Sequence, residues 1–135
     1  VKWILREKSN IDNGQFKPMQ VATIAALGNP PEWYVRMNKL YAERRVVAER
    51  IMDLLGCTYD KNQVGLFLWA KMNDNEAGSE QLINEILRNA HVFITPGFIF
   101  GSNGSRYIRI SLGVSKERME EAYRRIETYL NQKDK

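Results

Sequence analysis

One residue in one pattern offers chemistry: Arg109, within Thr95 to Gly113, TPGFIFGSNGSRYIRISLG. Tyr107, Arg109 and Ser111 alternate with Ile108, Ile110 and Leu112, which is the period-two pattern of a strand with one polar and one apolar face. Ahead of the strand, a Pro-Gly turn at Gly97 and two further glycines, Gly101 and Gly104, mark a loop that must bend sharply or let another group come close. A planar guanidinium held behind such a loop suits a carboxylate or phosphate, to which it can make two parallel charged hydrogen bonds. The same pattern also fits an arginine that is solvated or paired with a local carboxylate. Arg106 competes for the role. It lies beside Ser105 at the strand entry, where an outward-facing side chain is the default, and it ranks below Arg109.

Other chemistry is scarce. Cys57 is the only cysteine, so no internal disulfide can form, no cysteine-rich metal site is available, and a reducing, cytoplasmic setting fits. His91 is the only histidine; without a second ligand it reads as a helix end or a residue near the core, not a metal ligand. The 20 Lys and Arg against 16 Asp and Glu give a net charge of +4, which permits a nucleic-acid surface without demanding one. Arg44-Arg45 and Arg124-Arg125 fall in glutamate-rich helical patterns, which favours solvated, salt-bridged faces, so no nucleic-acid partner is expected. No membrane partner is expected either, because no apolar run approaches the ~20 residues of a bilayer span. The opening VKWILREKSN has no secretory pattern. At 135 residues and 44% hydrophobic content, the chain suffices for one compact core.

The elements that would position Arg109 follow from periodicity. After the apolar start at Trp3, Ile4 and Leu5, the segment SNIDNGQFKP is rich in turn formers and reads as an ordered loop. Pro18 opens a short helix that Gly28 and Asn29-Pro30-Pro31 stop. From about Trp33 to Leu55, apolar residues at threes and fours predict a helix of about 23 residues, roughly 35 Å long, closed by Gly56. VGLFLWAKM (Val64 to Met72) predicts a strand, and CTYD upstream could supply another. Ser79 is placed to cap a helix through Leu82, Ile83, Ile86 and Leu87, after which HVFIT returns to extended chain. Ser115 is placed to cap the last helix, with Met119, Ala122, Tyr123, Ile126 and Leu130 as its stripe and NQKDK as a frayed polar tail. Helices alternating with short strands give an α/β or α+β layered fold, a short sheet covered by helices.

In order and wording, three segments resemble the C-terminal portion of class I and II aminotransferases, the fold type I pyridoxal-phosphate enzymes related to aspartate aminotransferase. SNIDNGQFKPMQVATIAAL (Ser9 to Leu27) resembles the family's passage from its large cofactor domain towards the small one. VGLFLWAKM is similar to its glycine-aromatic strand entering the small domain. ITPGFIFGSNGSRYIRISLG resembles its Pro-Gly turn, aromatic-glycine step and strand ending in Arg-Ile-Ser. The resemblance runs over roughly residues 8 to 130. It implies that residues 1–32 lead out of a large domain this sequence does not contain, and that 33–135 form the small domain, with a long interdomain helix at about 33–55.

The resemblance also implies roles. Arg109 falls on the arginine that grips the substrate α-carboxylate; Asn10, and less directly Ser9, fall near a loop that approaches the cofactor phosphate of a neighbouring subunit in a homodimer. The glycines would shape the loop before Arg109. The family's Schiff-base lysine, in a Ser-x-Ser-Lys-type motif, and the aspartate that pairs with the pyridine nitrogen have no counterpart here. The implied reading is therefore a C-terminal fragment, inactive alone, of an enzyme that moves an amino group between an amino acid and a 2-oxo acid with pyridoxal 5'-phosphate. Decarboxylation or carbon-sulfur cleavage on the same fold is a related possibility. The rival reading is a stand-alone basic α/β module that binds nucleic acid or an acidic partner.

Overall fold

Three helices precede the first strand in the computed structural model, which describes residues 1–11, 14–73 and 78–133. They are α1 (Lys2–Ile11), α2 (Lys17–Leu27) and α3 (Pro31–Leu54). Pro18 stands in the first turn of α2, where its missing N–H breaks no helical bond. At the other end the Gly28 N–H donates to the Ala25 carbonyl at 3.1 Å. α3 stops in a Schellman arrangement: Gly56, at φ +65°, donates to the Asp53 carbonyl at 3.0 Å, and the Cys57 N–H reaches the Met52 carbonyl at 2.9 Å. The chain divides into two compact units, Val1–Met37 and Asn38–Lys135. Apart from residues 11–13, whose burial is not described, no residue of the first is buried.

The ordered loop expected over SNIDNGQFKP is a correction. α1 runs through Ser9, Asn10 and Ile11, and α2 begins at Lys17; Asp12 and Asn13 lie outside the described residues. The Ser9 hydroxyl donates to the Arg6 carbonyl at 2.8 Å, so its hydrogen bond is satisfied within the helix and does not turn the backbone.

The second unit is built on an antiparallel three-stranded sheet in the order β1-β3-β2, with β1 at Phe67–Lys71, β2 at Thr95–Pro96 and β3 at Tyr107–Ser111. Helices α4 (Ser79–Ala90) and α5 (Lys116–Lys133), with the later turns of α3, close one face. There Val47 and Ile51 of α3, Leu68 and Ala70 of β1, Ile86 of α4, Ile108 of β3 and Ile126 of α5 form one core. This is the layered α+β domain, a short sheet covered by helices. The stripe of α5 packs as its spacing predicts, with Met119 and Ile126 buried and Ala122, Tyr123 and Leu130 against them. Ser115 caps α5, its hydroxyl accepting the Arg118 N–H at 3.5 Å; of the tail, Asp134 and Lys135 lie outside the described residues. His91 ends α4 in the left-handed conformation, at φ 55°.

Two local expectations change. Gly78, not Ser79, occupies the N-cap of α4. The Ser79 N–H bonds the Ser105 carbonyl at 3.0 Å, and this ties the helix start to the turn before β3 and leaves the hydroxyl buried without a partner. CTYD adds no full strand: only Thr58 pairs, with Lys71, through bonds of 2.8 and 2.7 Å. Asp60 then accepts the Asn62 N–H at 2.8 Å, turning the chain away. In HVFIT only Thr95 joins the sheet, together with Pro96, whose missing N–H suits an edge strand.

Candidate functional site

Arg109 sits at the centre of the sheet face that the helices leave open. β3 is the middle strand, and its register sets Arg109 opposite Trp69 on β1 and Thr95 on β2. Because side chains alternate, Phe67, Trp69, Tyr107 and Arg109 share this face while Leu68, Ala70 and Ile108 enter the core. Arg109 is half-buried. Its guanidinium carbon lies 4.3 Å from the Phe67 ring centroid and 4.4 Å from that of Phe100. Trp69 meets Phe100 edge-on at 5.3 Å and Tyr107 at 6.4 Å. The Arg109 Nε is buried without a hydrogen-bond partner, and among the described residues no carboxylate pairs with the guanidinium. An open, mostly apolar cleft of about 200 Å³ adjoins it, lined by Phe93, Thr95, Ser111, Val114 and Arg118 among others.

The segment before β3 forms two short 3-10 turns, Gly97–Phe100 and Ser102–Gly104. Gly97 and Gly104 touch backbone to backbone: a Cβ on either would collide with the other's carbonyl oxygen, and one on Gly97 would also come within 2.7 Å of the Tyr107 carbonyl. Gly101, at φ +122°, adopts a conformation that L side chains resist. The glycines thus shape the loop in front of Arg109, as their spacing suggests.

Several other cations are engaged. Arg106 hydrogen-bonds the Asn73 carbonyl. Arg45 pairs with Glu49 at 3.0 Å, and Arg124 and Arg125 both pair with Glu121, at 2.6 and 2.8 Å, which is the salt-bridged face their sequence context predicts. Arg44 departs from that expectation: it donates to the Leu112 carbonyl at 2.9 Å and ties the end of β3 to α3. The two lie 68 positions apart, so no local pattern could reveal the contact. Glu117, in the first turn of α5, is held below its ordinary carboxylate range by its own backbone N–H and then by the Ser115 hydroxyl.

The chain is similar to known proteins over most of its length. The sequence model described as aminotransferase class I and II matches residues 8–126. The chain belongs to the class I and II aminotransferases. An LL-diaminopimelate aminotransferase of Moorella thermoacetica is 37% identical over 130 residues, 96% of this chain and 33% of that protein. The transaminase BacF of Bacillus subtilis is 35% identical over 115 residues, 84% of this chain and 29% of that protein. The apo structure of BacF superposes with a TM-score of 0.72 at 32% identity, over 91% of this chain and 33% of the other. An aromatic aminotransferase from Pyrococcus horikoshii gives 0.69 at 28% identity, over 82% and 30%. The chain therefore spans about a third of the length of the relatives it matches.

Class I and II aminotransferases are pyridoxal-phosphate enzymes. The residues here do not by themselves make a cradle for that group. The Ser9 hydroxyl proton is committed to Arg6, and Ser9 and Asn10 stand exposed in the last turn of α1. What the second unit offers an anion is a charged side chain beside the open cleft, with its Nε buried and unpartnered.

Proposed function

We propose that the whole protein transfers an amino group between an amino acid and a 2-oxo acid, and that this chain contributes the grip on the substrate carboxylate through Arg109. The observation that carries this is the unpartnered guanidinium on the open sheet face. A carboxylate arriving in the plane of the guanidinium can accept two parallel charge-assisted hydrogen bonds, which are stronger than neutral ones. Arg109 would hold that carboxylate on the rigid middle strand, fixing the orientation of the α-carbon; such positioning lowers a barrier without any proton leaving the arginine. The cofactor, when bound, supplies the electron sink for chemistry at the α-carbon.

In this reading residues 1–32 lead out of a large cofactor domain and 33–135 form the small domain. Asn10 contacts the cofactor phosphate across a homodimer interface, with Ser9 in a lesser role because its proton bonds Arg6. Cys57, the sequence's only cysteine and buried, suits a cytoplasmic enzyme. The donor amino acid is left to residues outside this chain, since the two curated relatives above already bear different names.

Arg109→Lys in the full-length protein tests the grip. The expected result is a fall in kcat/KM of about 100-fold with the cofactor absorbance kept, because an ammonium is a point charge that cannot form the paired bonds. An unchanged kcat/KM removes Arg109 from the site. Turnover by the 135-residue chain alone with added pyridoxal phosphate would refute the division of labour.

A further inference from the structure

The rings around Arg109 are out of place for a core. Phe67 is 44% exposed and Phe100 51% exposed, yet each lies within 4.4 Å of the guanidinium carbon. They come from different elements, Phe67 from β1 and Phe100 from the first 3-10 turn. Trp69 backs Phe100 from the edge at 5.3 Å. An arginine side chain carries much rotamer entropy, and binding an anion through it costs that freedom unless the side chain is already held. Rings hold a guanidinium by cation–π attraction without occupying its N–H donors. A carboxylate would hold it more strongly, but it would consume the donors the substrate needs.

We propose that Phe67 and Phe100 are positioning residues that keep the Arg109 guanidinium set for a carboxylate, and that the Gly97–Gly104 backbone contact is what seats Phe100. Phe100 lies between these glycines in sequence, and their contact closes the segment that carries it. A side chain on Gly104 would collide with the backbone of Gly97; the segment would have to open, and Phe100 would move with it. The proposal rests on the carboxylate reading of Arg109, but the seating of the rings can be observed without it.

The test is proton–nitrogen NMR of arginine Nε–Hε groups in the 135-residue chain, titrated with sodium acetate against sodium chloride at equal ionic strength. The Arg109 signal, assigned by its loss in Arg109→Lys, is expected upfield of the other arginines because two rings shield it, and expected to move with acetate but not chloride. Phe100→Leu and Gly104→Ala should each return the signal towards the others and raise the acetate midpoint about threefold to tenfold. Phe100→Tyr should keep both properties, a rescue that loss of bulk alone would not give. Because Phe100 is half exposed, the remaining spectrum should stay in place. An unshielded Arg109 signal in the unsubstituted chain, or an unchanged acetate midpoint in Phe100→Leu, overturns the positioning role. A shielded signal that acetate never moves overturns the carboxylate grip, and the positioning role falls with it, while the seated rings stand.

Discussion

Val1–Met37 carries Trp3, Ile4, Leu5, Met19, Ile24 and Leu27 and leaves every one of them exposed, whereas Asn38–Lys135 hides Leu68, Ile86, Ile108, Leu112 and Ile126 almost completely. Both units contain helices with sound local grammar, including the proline of α2 and the glycine closing α3. Local grammar shapes a helix but does not by itself hold one: isolated helices shorter than about 12–15 residues are marginal in water. α1 has 10 residues and α2 has 11. The core of the second unit is what turns comparable signals into a stable sheet face, and Arg109 is placed on that face, not on the bare helices.

The comparison breaks most readily at Ile108, which is fully buried beneath the open sheet face and shares its strand with Arg109. Ile108→Ala is expected to lower the unfolding free energy of the chain by about 2–5 kcal/mol, as a large-to-small exchange in a closed core does. Urea denaturation monitored by circular dichroism reads it. A loss below about 1 kcal/mol would mean the second unit lacks the closed core drawn for it.

Why the sequence revealed Arg109 but not its surroundings has a physical explanation. Alternation in YIRISLG assigns each side chain to a face, since the strand period is fixed by backbone geometry; Ile108 in the core and Arg109 on the open face needed nothing more. Phe67 and Trp69 could have been placed beside it only with the register of β1 on β3, which pairing sets and neither strand encodes alone. Phe100 needed the turn geometry that Gly97 and Gly104 allow. Ser9 and Ser79 misled for one reason: serine supports turns, caps and helices alike, and the choice falls to the partners it finds, the Arg6 carbonyl for the Ser9 hydroxyl and the Ser105 carbonyl for the Ser79 N–H. The order of segments also carried family information that no single element contains.

A smaller effect sharpens the comparison by pH. Glu85 on α4 receives hydrogen bonds from Lys133 and Tyr129 on α5, and these, Lys133 first, hold its carboxyl below the ordinary 4.5. A carboxylate whose folded pKa is depressed adds stability that is complete above its unfolded value and disappears as pH falls through the folded one. Glu85→Gln should therefore lower the melting temperature at neutral pH, by an amount corresponding to less than about 1 kcal/mol for a partly exposed pair, with the gap from the unsubstituted chain shrinking as pH drops below 4.5. A gap that persists undiminished in acid would assign the effect to packing between α4 and α5 instead.

The smallest expected effect probes the first unit directly. Ile24 is 71% exposed on α2, so Ile24→Ser in this chain should change the urea midpoint by no more than about 0.5 kcal/mol of unfolding free energy, the ordinary range for a surface exchange. In a stable globular helix a side of Met19, Ile24 and Leu27 would be turned inward, and the same substitution would then cost several times as much. The measurement thus asks whether these 135 residues stabilise α2 themselves. A null result beside a large loss at Ile108 would show that the folding energy resides in the unit that carries Arg109; comparable losses at both positions would show that α2 is itself stabilised in these 135 residues.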